Sequence, residues 1–239
     1  ADEIIVLSKG VQDYFKQTYG RDTILIPNGV SRPENVEADL LTKKFGLHKD
    51  DYICALSRLT EEKGIHYLIE AYQNVKTDKK LVIAGDTSDT DDYVMKLKKL
   101  AGNNPNIIFT GFVSGKLLEE IYSNAYVYVL PSKLEGMPLS LLEAMSYGNC
   151  VIGSDIAEIA DVVEDKAILF KKANVEDLKE KLQMVCDDVE LVEKYKNEAS
   201  GYICGRYNWE DVVNRTVEVY RGKKSCKEKL VENSSVASI

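Results

Sequence analysis

The stretch YVYVLPSKLEGMPLSLLEAMSYG, residues 126–148, reads as a strand, a loop and a helix. Tyr126 to Leu130 are all apolar, as in a strand covered on both faces. Pro131 ends the run. Gly136 permits close backbone approach, Pro138 suits the first turn of a helix, and 137–148 is read as that helix. The free N–H groups of Met137, Leu139 and Ser140 would then form an anion-binding helix start. Glu135 precedes the helix and Glu143 lies about one and a half turns inside it. A carboxylate accepts two hydroxyl hydrogen bonds, which fits a ribose diol or a sugar, if both face one cleft. The plainer alternative is that Glu135 caps the helix and Glu143 is exposed.

The same alternation continues in both directions. Strands are expected at 52–57, 80–84, 106–110, 126–130, 150–153 and 167–170. Helices are expected at about 64–75, 91–101, 115–124 and 137–148, then at 175–187, 189–203 and 209–221 with no strand between. Strands separated by helices of this length imply right-handed crossovers and a parallel sheet. The expected class is α/β: a Rossmann-like doubly wound sheet with helices on both faces and a C-terminal helical extension. Towards the N-terminus, Glu3–Ser8 is a short apolar run that begins like a strand in mid-fold. A helical Val11–Tyr19 follows, then an extended Thr23–Pro27 closing in a Pro27-Asn28-Gly29 turn. Residues 31–37 read as a linker.

The chain has 239 residues, 44% apolar and 29% charged, with a net charge of −8. Those values are globular, and the acidic balance excludes nucleic acid as a general partner. The five cysteines, Cys54, Cys150, Cys186, Cys204 and Cys226, have no C-x-x-C spacing and read as free thiols in a reducing cytoplasm. With only His48 and His66, a multi-histidine metal site is excluded. No apolar run reaches the ~20 residues of a membrane span. The tail 222–239 carries Lys223, Lys224, Lys227 and Lys229; it reads as solvated, though such lysines suit acidic lipid.

Ligands of open α/β sheets sit beyond the carboxyl ends of the strands. No G-x-G-x-x-G occurs there. GFVSGK, 111–116, is one residue short of a P-loop, and Leu117 stands where a magnesium-binding hydroxyl is needed. The strand at 52–57 runs into Arg58-Leu59-Thr60-Glu61-Glu62-Lys63-Gly64. Arg58 forks onto phosphate oxygens and Lys63 acts as a point charge, so the two roughly match a diphosphate. The alternative pairs both cations with Glu61 and Glu62 on a solvated face.

Taken together, these motifs resemble the retaining family 4, or group 1, glycosyltransferases of the GT-B fold. The likeness covers about residues 1–221. It is carried by Pro27-Asn28-Gly29-Val30, Ser57-Arg58-Leu59 with Lys63-Gly64, Ala84-Gly85, Phe109-Thr110-Gly111-Phe112-Val113, and Glu135 and Glu143 in EGMPLSLLEAMSYG. The resemblance implies that Arg58 and Lys63 hold the donor diphosphate and stabilise the leaving phosphate. It implies that Glu143 binds the nucleotide ribose, that Glu135 contacts the transferred sugar, and that the backbone near Val113 meets the base. The backbone of Gly136, Met137, Leu139 and Ser140 would support sugar and phosphate. No metal and no other cofactor is implied. The implied donor is a nucleotide-sugar, with UDP-hexose favoured, and the sugar passes with retention to a sugar or lipid-linked acceptor. The implied setting is bacterial cell-surface polysaccharide or glycoconjugate synthesis in the cytoplasm, with peripheral contact at the inner face of the membrane.

On the same resemblance, residues 1–30 match the end of an N-terminal domain plus linker. Residues 31–205 are the donor-binding domain, 206–221 a terminal helix crossing back to that first domain, and 222–239 a flexible tail. The expected protein is then the donor-binding portion of a larger enzyme, with the N-terminal domain as its partner and little transfer by itself. Three alternatives stay open. One is a metal-dependent transferase using Asp89-Thr90-Asp91. Another is a nucleotide-sugar binding or epimerase-like GT-B protein without transfer. The third is an interaction scaffold.

Overall fold

Residues 2–86 and 92–222 are described by the structure, a computed structural model. Asp89-Thr90-Asp91, Cys226 and the lysines of the tail lie outside the described residues. Nearest the amino terminus are β1 (Ile5–Val6), α1 (Lys9–Tyr19) and β2 (Ile24–Leu25). The two strands pair in parallel, Ile5 opposite Ile24 and Val6 opposite Leu25.

The main sheet contains β3 (Tyr52–Leu56), β4 (Lys80–Ala84), β5 (Ile107–Gly111), β6 (Val127–Leu130), β7 (Cys150–Ser154) and β8 (Ile168–Phe170). Its order is β5-β4-β3-β6-β7-β8, and every pair is parallel. Alternate residues of a strand point to opposite faces, and the core divides accordingly. Tyr52, Cys54, Tyr128 and Leu130 belong to one apolar cluster, and Ile53, Ala55, Val127 and Val129 to the other. The first face is covered by α2 (Leu40–Phe45), α5 (Lys116–Asn124), α6 (Leu139–Ser146), α7 (Ala157–Val163) and α9 (Val189–Arg206). The second is covered by α3 (Ile65–Tyr72), α4 (Asp92–Ala101) and α8 (Val175–Asp187). Because both faces are covered, β6 and β7 are buried at every position.

The six strands fall within about a residue of their expected ends. The helices differ more. Pro138 is the residue before α6 rather than part of its first turn, with an extended backbone at φ −76°, ψ 101°. Two short helices escape the sequence reading. The first, α2, takes its cap from a distant element: fully buried Glu120 on α5 accepts the Leu41 N–H through Oε2 at 2.8 Å. The second, α7, sits directly on β7. A Cβ on Gly153 would lie 2.7 Å from Ile159 Cγ2, so the glycine admits the close approach.

The last helix, α10 (Trp209–Tyr220), returns to the first segment of the chain. The Val30 N–H donates to the Tyr207 carbonyl at 2.7 Å, and the Arg215 guanidinium donates to the Leu25 carbonyl. A Cβ on Gly29 would meet the Trp209 backbone at 2.9 Å. Residues 28–30 therefore lie between the α9–α10 junction and Met137, in the loop before α6.

Candidate active site

The chain leaves β3 outward through β4 to β5, returns to β6 beside β3, and then moves the other way through β7 to β8. The loops following β3 and β6 lead to helices on opposite faces of the sheet, and it is beyond such a switch point that open α/β sheets bind their ligands. Those loops are 57–64 and 131–138, the two stretches singled out by the sequence.

Glycine geometry sets the β3 loop against its neighbours. The Ser57 N–H donates to the Ala84 carbonyl at 3.1 Å and the Leu59 N–H to the Asp86 carbonyl at 3.0 Å. Glu61–Lys63 form a single 3-10 turn, closed by Gly64 in the left-handed region at φ 66°. A Cβ on Gly64 would run into the Pro131 carbonyl oxygen at the end of β6. Only glycine accepts both the positive φ and that proximity. The two loops are also bonded through backbone, since the Lys133 N–H donates to the Glu62 carbonyl at 2.7 Å.

That contact brings two side chains together. Lys63 Nζ lies 2.8 Å from Glu135 Oε1 and 2.9 Å from Oε2. The side chains are only 17% and 6% exposed. The Ser132 hydroxyl donates to Glu135 Oε1 at 2.7 Å, and the Ser154 hydroxyl donates to the Ser132 carbonyl. Arg58 stands exposed at the start of the same β3 loop. The alternative pairing of these cations with Glu61 and Glu62 is not adopted. Glu61 pairs with Lys96 at 2.9 Å. Glu62 is held below the usual carboxylate range first by its own backbone N–H, with Arg58 and Lys63 adding their charge.

Glu135 therefore does not cap α6; it turns back to Lys63. The amide hydrogens of Leu141 and Leu142 donate to the Pro138 carbonyl at 3.1 and 3.3 Å. Those of Met137, Leu139 and Ser140 make no hydrogen bond within the described residues. Glu143 is half-buried rather than exposed, and its Oε2 accepts from the Tyr122 hydroxyl at 3.1 Å. Burial pushes its pKa up, and the Tyr122 hydrogen bond acts against that rise. Tyr122 stacks on Tyr147 with centroids 5.4 Å apart. The Tyr128 hydroxyl donates to the Leu56 carbonyl at 3.1 Å, tying β6 to β3. Burial first, with the charges of Glu135 and Glu143 adding to it, pushes the pKa of that hydroxyl up.

Val113 follows β5, at the same edge of the sheet but two strands from β3. Its side chain is buried, while neighbouring Phe112 is 76% exposed. Met137 is buried, and Gly136 and Leu139 are exposed. Asn28 reaches Met137 twice, donating its N–H to Sδ at 3.1 Å and its side-chain amide to the carbonyl at 3.4 Å. Ser132, Tyr122, Tyr128 and Asn28 are the supporting residues that sequence reasoning missed. Each acts through a contact distant in sequence except Ser132, whose position three residues before Glu135 was a usable signal.

A parallel sheet of this order, with the chain turning to opposite faces at its switch point, defines a Rossmann-like doubly wound architecture. Residues 38–202 match the family described as glycosyl transferases group 1, and the chain belongs to that family. An uncharacterized glycosyltransferase of Methanocaldococcus jannaschii is 32% identical over 184 residues, which are 75% of this chain and 47% of that protein. Two solved structures share the fold. Sucrose-phosphate synthase from Thermosynechococcus elongatus has a TM-score of 0.81 at 23% identity, covering 93% of this chain and 58% of its own. Anabaena HepE in complex with UDP-glucose has a TM-score of 0.84 at 20% identity, covering 93% and 64%. The fold is that of GT-B glycosyltransferases. The chain spans about half the length of the curated relatives it matches. Among the described residues, no helix is long and apolar enough to cross a membrane, and no group of three or more His, Cys, Asp or Glu is placed to hold a metal ion.

Proposed function

We propose that this chain is the donor-binding portion of a retaining hexosyltransferase that takes a nucleotide-sugar, UDP-hexose in preference, and needs no metal. One observation carries the reading: Lys63 and Glu135 arrive from two diverging loops and meet at the strand switch point, beside unengaged N–H groups of the α6 start. An anion there finds an exposed cation in Arg58, an ion-paired one in Lys63, and a helix start.

The chemistry follows from these groups. Leaving a sugar builds negative charge on the departing diphosphate. Arg58 and Lys63 hold that charge in a partly desolvated crevice, the role a divalent cation fills elsewhere. Glu143, oriented by Tyr122, accepts from the ribose diol, and Glu135 accepts from hydroxyls of the transferred sugar. The Val113 backbone meets the base, and the backbone of Gly136 to Ser140 supports sugar and phosphate. Retention and the hexose follow from the family resemblance, and the UDP-glucose bound by HepE is in keeping with the donor class.

On this reading the acceptor is a sugar or lipid-linked sugar, the setting bacterial cell-surface polysaccharide or glycoconjugate synthesis, and the location the cytoplasm or the inner membrane face. We assign these 239 residues the donor side of the reaction, with little transfer by themselves. A thermal-shift panel of UDP-, GDP- and ADP-sugars tests the proposal. A true donor at about 100 times its Kd adds ~2.7 kcal/mol, which raises Tm by several degrees in a chain of this size. A panel with no shift would remove the donor-site reading.

A further inference from the structure

The cation assigned to the donor diphosphate already has an anion. Lys63 Nζ sits at near-equal distances, 2.8 and 2.9 Å, from both oxygens of Glu135. Ser132 anchors one of those oxygens at 2.7 Å, so the carboxylate is held in place from below. A phosphate that engages Lys63 must share it with Glu135 or displace it.

We propose that the Lys63–Glu135 pair makes this site select an intact nucleotide-sugar over the nucleoside diphosphate left after transfer; the inference rests on the donor-site reading above. Two effects act in the same direction. The first is charge. The diphosphate of a nucleotide-sugar carries one charge on each phosphate. The free nucleoside diphosphate ends in a terminal phosphate monoester, whose second proton leaves at a pKa of about 6. The fixed Glu135 carboxylate therefore repels the spent nucleotide more than the donor.

The second effect is hydrogen bonding. When Lys63 turns to phosphate, the Glu135 side chain, 6% exposed, loses its partner. A donor sugar supplies hydroxyl groups that refill the vacated positions. A bare nucleoside diphosphate has only its ribose hydroxyls, which are assigned to Glu143, and a buried carboxylate left with Ser132 alone is costly. Engagement of Lys63 by phosphate and capture of sugar hydroxyls by Glu135 are thus coupled, and loss of the sugar favours re-formation of the ion pair and release of the nucleotide.

The test is calorimetric titration of the 239-residue chain with UDP, UDP-glucose, GDP and GDP-mannose, in wild type, Glu135→Gln and Glu135→Ala. Melting curves check that each variant folds, and the two variants differ in size so that either suffices. The proposal expects wild type to favour the intact donor of whichever pair it binds. In both variants the free nucleoside diphosphate should bind about fivefold more tightly, and the preference for the donor should collapse. If Glu135 only contacted sugar, the donor would weaken while the free nucleotide stayed unchanged; that result overturns the inference and leaves the donor site standing. If wild type bound none of the four ligands, the donor-site reading would fall, and the inference with it.

Discussion

The Tyr122 hydroxyl on α5 donates to Glu143 Oε2 on α6 at 3.1 Å, tying the two helices together through a half-buried carboxylate. No ion pair reaches Glu143 among the described residues, and burial and the Tyr122 hydrogen bond are what act on it. A half-buried carboxylate whose hydrogen bond comes from a neutral hydroxyl is carried at a desolvation cost. Its folded pKa lies above the ordinary value of 4.5. The unfolded chain therefore releases this proton more readily than the native one. The penalty is absent well below pH 4.5 and grows as pH rises through the raised folded pKa. Glu143→Gln should stabilise the chain at pH 7, raising Tm by ~1–4 °C, with the gain shrinking as pH falls below the carboxylate range. Melting curves from pH 4 to 8 check this, and an equal shift at every pH would exclude a titration origin.

Gly64 separates two loops that have to touch. Its φ of 66° and the Pro131 carbonyl against its Cβ position act together. Gly64→Ala should cost at least ~2 kcal/mol in urea unfolding, from left-handed strain plus the displaced loop. It should also weaken nucleotide binding, because Lys63 is the next residue. A stability loss under ~0.5 kcal/mol would mean that the loops separate freely.

If Arg58 and Lys63 supply the cationic charge, chelators should not matter to donor binding. Calorimetric affinity for a nucleotide-sugar in EDTA should equal that in magnesium. A large loss in EDTA would favour a metal-dependent site, with Asp89-Thr90-Asp91 the first stretch to mutate.

The sheet was legible because burial on both faces leaves strands with no polar side, as in Leu81-Val82-Ile83-Ala84. The two strand-end loops were legible because charged residues and glycine stand out between apolar elements. The pairing inside the site was not. Lys63 and Glu135 are 72 residues apart, and each had nearer partners on offer: Glu61 and Glu62 for Lys63, the α6 start for Glu135. Gly64 and the Lys133–Glu62 backbone bond decide between them, and both depend on the tertiary approach of the loops. The short helices α2 and α7 were hidden for a related reason. One is capped by Glu120, whose oxygen comes from α5, and the other is fixed by its seat on Gly153.

The central claim is that Lys63 and Arg58 form a diphosphate site. Calorimetric titration of wild type, Arg58→Ala and Lys63→Ala with whichever nucleoside diphosphate the thermal panel selects tests it most directly. The account predicts that each substitution weakens binding by about 1.5–3 kcal/mol, the scale of a hydrogen bond to a charged group, with the melting temperature nearly unchanged in Arg58→Ala and lowered in Lys63→Ala, which leaves the Glu135 carboxylate without its cation. Wild-type affinity in both variants would contradict it.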